Sequence, residues 1–160
     1  IHPHHVAGLD RLLEYYLNNL IGNPLDTTIA AANLIFGGVL EKYPRLKIVL
    51  AHAGGQFPYI IGRMEHGYKV RPECKDKVHQ SPMTFFKNFY FDMITHNPDA
   101  LRYLISLAGS DHVLLGSDYP YDMGDLNPVQ TVAQLKGIKV KDRKMIMREN
   151  AIALYGLKAL

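Results

Sequence analysis

Residues 46–55 read Leu46-Lys47-Ile48-Val49-Leu50-Ala51-His52-Ala53-Gly54-Gly55. The first six form a strand signal, β-branched and apolar toward its end. The strand runs directly into a histidine, and Gly54-Gly55 let the backbone turn tightly just beyond it. Residues 112–120 repeat the arrangement. His112-Val113-Leu114-Leu115-Gly116 reads as a strand and runs into Ser117-Asp118-Tyr119-Pro120. A third strand signal, Phe89-Tyr90-Phe91-Asp92-Met93, lies between them. Helical patterns over 57–68 and 99–108 separate the three, with Pro98 as a first-turn residue. Apolar strands alternating with helices predict parallel βαβ units, so the fold class is α/β.

The flanks continue the alternation. Residues 9–21 place Leu9, Leu12, Leu13, Tyr16, Leu17 and Leu20 at three- and four-residue spacing, one apolar helical face. Gly22-Asn23-Pro24 is expected to end that helix, because proline cannot continue one. A second helix is expected from Asp26 or Thr27 to Lys42, with Gly37-Gly38 marking close packing against a neighbour. Residues 70–82 form a loop long enough that it should pack over other elements. Helices over 129–135 and 141–154 close the chain, with Met145, Ile146, Ile152 and Leu154 inward and Gly156 as a C-terminal cap.

Composition narrows the function classes. The chain has 160 residues, 48% hydrophobic and 21% charged, which is globular and excludes disorder, collagen and a coiled coil. A formal charge of +3 with no basic run gives nucleic acid no footing. No stretch approaches the ~18 apolar residues of a membrane span, so no membrane partner is expected. The single cysteine, Cys74, excludes an internal disulfide framework, and the expected compartment is the cytoplasm. The opening Ile1-His2-Pro3-His4-His5, without an initiator methionine, reads as a chain entered part-way.

Chemistry-bearing residues gather where elements end. His52 and Asp118 each follow a strand, and His2 opens the chain. In α/β folds, ligands bind beyond the carboxyl ends of parallel strands. Two histidines and an aspartate at such positions can converge on one divalent cation, Zn²⁺ or Mn²⁺. Each also has a plainer role: a histidine as a hydrogen-bonding loop residue, Asp118 as a turn cap. His4 and His5 can face solvent. Ser117 lies outside any G-x-S-x-G elbow, and Cys74 has no C-x-x-C partner, so neither reads as a nucleophile. Arg63, a turn or so into the helix after His52, can be a surface residue or can bind a carboxylate bidentately. Tyr119 and Tyr121 can line a pocket. His66, His79, His96 and His112 read as structural or exposed.

Three motifs in order, His2-Pro3, I-V-L-A-H-A-G-G over 48–55 and V-L-L-G-S-D-Y-P over 113–120, carry a resemblance. With F-P-Y-I-I-G-R, N-F-Y-F-D-M and R-E-N-A-I-A-L-Y-G-L, they resemble the amidohydrolase-related family typified by aminocarboxymuconate semialdehyde decarboxylase. The resemblance implies a (β/α)8 TIM barrel with one catalytic divalent metal, usually zinc and in some relatives manganese. It implies that His2 and Asp118 are metal ligands after strands five and eight. It implies that His52, after strand six, is the catalytic acid/base. Arg63 matches an arginine that reaches a substrate carboxylate in the neighbouring subunit of a homodimer, and Tyr119 is expected to bind substrate. The family's first metal motif, an H-x-H pair after strand one, is absent. A full barrel takes ~250 residues, or at least ~200. Residues 1–160 are therefore expected to be the C-terminal portion of one barrel domain, about strands six to eight with their helices. The leading reaction is non-oxidative decarboxylation of an unsaturated or aromatic carboxylic acid, a small-molecule carboxylate substrate. The alternatives are a metal-dependent hydrolase or hydratase acting on a lactone, amide or double bond, and a non-catalytic fragment or interaction module.

Overall fold

A computed structural model describes residues 1–4 and 6–158, so His5 lies outside the described residues. The chain divides into two compact units, Ile1–Phe89 and Tyr90–Leu160.

In the first unit the apolar run of 9–21 does not form the expected helix. It holds a single 3-10 turn, Leu9–Arg11, and a π-helical turn, Asn18–Gly22. Tyr15 and Tyr16 between them have φ of 55° and 60°, which breaks any helix. Leu13 is 76% exposed. An amphipathic face is stable as a helix only where it meets a surface to cover. Gly22-Asn23-Pro24 starts a helix instead of ending one. The π turn passes directly into α1 (Asn23–Phe36), with Pro24 in the first turn, where its missing N–H costs nothing. Thr27, Thr28, Ala31 and Ile35 give α1 its buried face.

The second expected helix is split. Gly38 adopts φ 73°, and a Cβ there would lie 2.2 Å from the Lys77 carbonyl oxygen. The close approach that Gly37-Gly38 signalled is thus to loop backbone, and a short α2 (Val39–Lys42) follows it. The 70–82 loop packs down as expected, with Val78 fully buried. His79 pins it: its backbone N–H and its ring Nδ1 both bond the Glu41 carboxylate at 3.1–3.2 Å. β1 (Ile48–Leu50) leads to α3 (Phe57–Val70). Phe57 anchors this core, with its ring 5.0 Å from Phe89 and 5.3 Å from Phe86.

β2 (Phe89–Asp92) begins at the last residue of the first unit, and its second-unit residues pair in parallel with β3 (Val113–Leu114), Phe91 opposite Val113 and Asp92 opposite Leu114. Phe91 and Val113 are fully buried, as parallel strands require. The crossover is α4 (Pro98–Ala108). The Asn97 side chain caps it by accepting from the backbone N–H groups of Asp99 and Ala100. Leu101 and Leu104 lie on its buried face. α5 (Pro128–Gln134) and α6 (Val140–Lys144) follow, then a π-helical turn, Met145–Glu149, and α7 (Asn150–Tyr155). The predicted 141–154 helix is therefore one run with a π insertion, and Gly156 ends it at φ 64°. Asn150 is buried and donates to the carbonyls of Ser110 and Val113, both at 2.7 Å. No helix among the described residues is long and apolar enough to cross a membrane.

Candidate metal and substrate site

His2 is placed by backbone pairing. The Ile1 nitrogen donates to the Val49 carbonyl, and Ala51 N–H donates to the Ile1 carbonyl at 3.0 Å. This is the bond pattern of a parallel ladder, with Ile1 beside Leu50. His2 thus stands level with Ala51, one step short of His52. In an unbroken strand His52 would share the face of Leu50, opposite to that of His2. The strand does not continue. His52 has φ 53° and Ala53 φ 55°, both left-handed, followed by Gly54 and Gly55 at 78° and 62°. The alternation is broken, and the two imidazoles meet edge-on with centroids 4.9 Å apart. A ligand atom of His2 and one of His52 lie within 4.8 Å of each other.

The turn is held from behind. A Cβ on Gly55 would lie 2.1 Å from the Pro24 carbonyl oxygen, so α1 leaves room for glycine only. Gln56 N–H donates to Thr28 Oγ1 at 2.9 Å, and that hydroxyl donates to the Pro24 carbonyl at 2.7 Å. Gly54-Gly55 therefore does what the sequence suggested, and its partner is the start of α1.

His2 Nδ1 lies 2.9 Å from the Pro3 carbonyl. A carbonyl only accepts, so Nδ1 is the donor here, which in the neutral ring leaves the lone pair on Nε2. A backbone carbonyl behind one ring nitrogen is the usual way a protein orients an imidazole to bind a metal through the other. No residue pattern announces this contact, because the acceptor is backbone.

Asp118 belongs to the second unit. β3 ends when Leu115 N–H turns away to the Ile146 carbonyl at 2.9 Å. Asp118 follows at φ 56°, half-buried. Its loop closes on itself, with Asp125 N–H on the Ser117 carbonyl at 2.8 Å and Tyr121 N–H on the Asp118 carbonyl at 3.0 Å. Tyr119 is 79% exposed, and its N–H donates to Ser117 Oγ at 3.3 Å. Tyr121 is also exposed. Arg63 stands exposed on α3, and among the described residues it makes no hydrogen bond to His2 or His52. Neutral imidazole and carboxylate are donors that Zn²⁺ and Mn²⁺ both accept, so the residue types fit a divalent cation.

Residues 1–157 match the amidohydrolase family model. The chain is 38% identical to the 2-amino-3-carboxymuconate-6-semialdehyde decarboxylase of Dictyostelium discoideum, over 98% of this chain and 44% of that protein. It superposes with TM-score 0.86 and 28% identity on the 5-carboxyvanillate decarboxylase of Sphingomonas paucimobilis, over 99% of this chain and 49% of that one. A dihydroxybenzoic acid decarboxylase from Polaromonas sp. JS666, solved with bound manganese and 2-nitroresorcinol, shares the fold with TM-score 0.86 at 24% identity, over 100% of this chain and 50% of that one. The chain thus spans half or less of the length of these relatives. By the span of the family match and its identity to the Dictyostelium protein, the chain belongs to the amidohydrolase family.

Proposed function

We propose that residues 1–160 are the later part of a (β/α)8 barrel, about strands six to eight with their helices, and that the whole enzyme removes CO₂ from an unsaturated or aromatic carboxylic acid. The observation that carries this is the imidazole pair. His2 and His52 stand at adjacent ladder ends, with ring centroids 4.9 Å apart. The relative most informative about the reaction, 38% identical, is named for a decarboxylation.

In this reading His2 and Asp118 hold one divalent cation, Zn²⁺ or Mn²⁺. A cation so held supplies Lewis acidity toward a substrate oxygen. His52 carries the proton. As the bond from the substrate carbon to its carboxylate breaks and CO₂ leaves, a proton on the His52 ring moves to that carbon. No oxidant is required. A positioned acid of this kind contributes about 10²–10⁴ in rate. Arg63 orients a substrate carboxylate through two parallel hydrogen bonds. Its exposed place on α3 suits a site completed by a second copy of the protein, hence a homodimer. Tyr119 flanks the substrate beside Asp118. The expected compartment is the cytoplasm.

The test is CO₂ release by the full-length protein from a panel of aromatic and unsaturated acids. His52→Ala should lower kcat by at least about 10² while leaving metal content unchanged. Asp118→Ala and His2→Ala should each lower metal content, measured by plasma mass spectrometry. Lactone opening or double-bond hydration without CO₂ from any acid would assign the protein to a hydrolase or hydratase instead.

A further inference from the structure

The second unit contains a cavity of about 510 Å³ between the segment that follows β2, α4, α5 and residues 124–126. Its floor is apolar: Met93, Ile94, Leu101 and Leu135 line it, and all four are buried. Its rim is rich in hydrogen-bond donors. His96 and Gln134 line it, and so does Asn97, whose Oδ1 is taken up by the backbone of α4, which turns the donating amide nitrogen to the other side. The one acid in the lining, Asp125, has its oxygens bonded by Asn127 N–H at 2.8 Å and by the Thr131 hydroxyl at 2.6 Å. Gly124 also lines the cavity, and a Cβ on it would lie 3.2 Å from the Asp118 carbonyl oxygen. The loop that carries Asp118 thus contributes Gly124, Asp125 and Leu126 to one side of the cavity.

His96 is an exposed residue held in the left-handed region, at φ 52°. It comes four residues after the end of β2, as Asp118, at φ 56°, comes four after the end of β3. No packing requirement accounts for an exposed side chain here, and glycine would fit such a backbone more easily. Strained positions of this kind gather at ligand sites. We propose that this cavity binds a compact unsaturated acid, and that His96 is a ligand-selecting residue that donates a hydrogen bond to an acceptor oxygen there, a carboxylate or a ring hydroxyl. The inference rests on the decarboxylase reading for the chemical class of the ligand only.

The test uses non-reacting probes on the metal-loaded full-length protein, so it does not depend on turnover. Isophthalate and 3-hydroxybenzoate should each bind at least about tenfold more tightly than benzoate by calorimetry, and the larger of the two gains identifies the acceptor. His96→Ala should reduce that preference to about onefold and leave benzoate binding within about twofold. His96→Asn, which keeps a donor and tolerates the same backbone, should restore part of it. His96→Gly should lose the preference with Tm unchanged or raised, which a merely structural role would not give. The ring signals of His96 should shift with isophthalate and not with benzoate. Equal affinities for the three probes in the wild type, or a preference that survives His96→Ala, would overturn the proposal. A His96-dependent preference in a protein that releases CO₂ from no acid would keep this site and remove the decarboxylase reading.

Discussion

His52 takes its position from the backbone behind it, and Gly55 is where that backbone is most exposed to change. A methyl group at Gly55 would meet the Pro24 carbonyl at 2.1 Å, on a residue already at φ 62°. Gly55→Ala should destabilise the protein by more than about 2 kcal/mol in urea titration and lower turnover along with it. A second residue-scale effect is pH-dependent. Burial pushes the Glu41 carboxyl up, but the hydrogen bonds from the His79 ring and backbone and the charge of His79 outweigh it, and the group titrates below its ordinary 4.5. A carboxyl lowered in the folded state contributes stability above its unfolded value and loses it as pH falls through the folded one. The carboxylate's share in pinning the 70–82 loop should therefore be lost as pH falls below 4.5. Glu41→Gln should show a shallower loss of Tm on acidification than the wild type. Identical acid limbs would contradict this.

Among the elements, those whose signal is local and complete were legible from the residues alone. β1, α3, β2 and α4 lie close to their expected places, because each pairs an apolar run with its own boundary residues: glycines after β1, Asn97-Pro98 before α4. Residues 9–21 misled because periodicity reports a face and not the surface that covers it, and Leu13 stays exposed. Pro24 misled because proline marks a helix start as readily as a stop. The site divided along the same line. His52 and Asp118 were legible as polar residues after apolar runs. The Pro3 carbonyl that orients His2, and the left-handed φ of His96, were not, since neither leaves a side-chain pattern in the sequence. Asn150 likewise gave no signal, yet it ties the start of α7 to the backbone on either side of the turn before β3. Asn150→Ala removes the side-chain donor to one buried and one part-buried carbonyl and should cost about 1–3 kcal/mol, read from the shift of the denaturation midpoint. A cost below about 0.5 kcal/mol would show that these carbonyls find other donors.

At the scale of the whole molecule, the chain accounts for 44% of its Dictyostelium relative and 49% of the Sphingomonas structure. The proposed function gives the protein a divalent cation held by His2 and Asp118. Its removal should therefore be felt globally, because an ion that binds only the folded state stabilises it by mass action. Chelation of the full-length protein should lower Tm and stop CO₂ release, and added Mn²⁺ or Zn²⁺ should restore both. A Tm that responds to neither chelator nor metal would contradict a structural share for the ion. The clasp between the His52 turn and α1 has a further consequence, expressed in exchange rates. Gln56 N–H is bonded to a hydroxyl that is itself bonded to the first turn of α1. That amide can meet solvent only when the helix start gives way. Its deuterium uptake should follow that of the α1 amides, in one cooperative opening, and not that of a free loop. His52 then sits in a turn whose lifetime is tied to a neighbouring helix, so its slowest motion should be the breathing of α1.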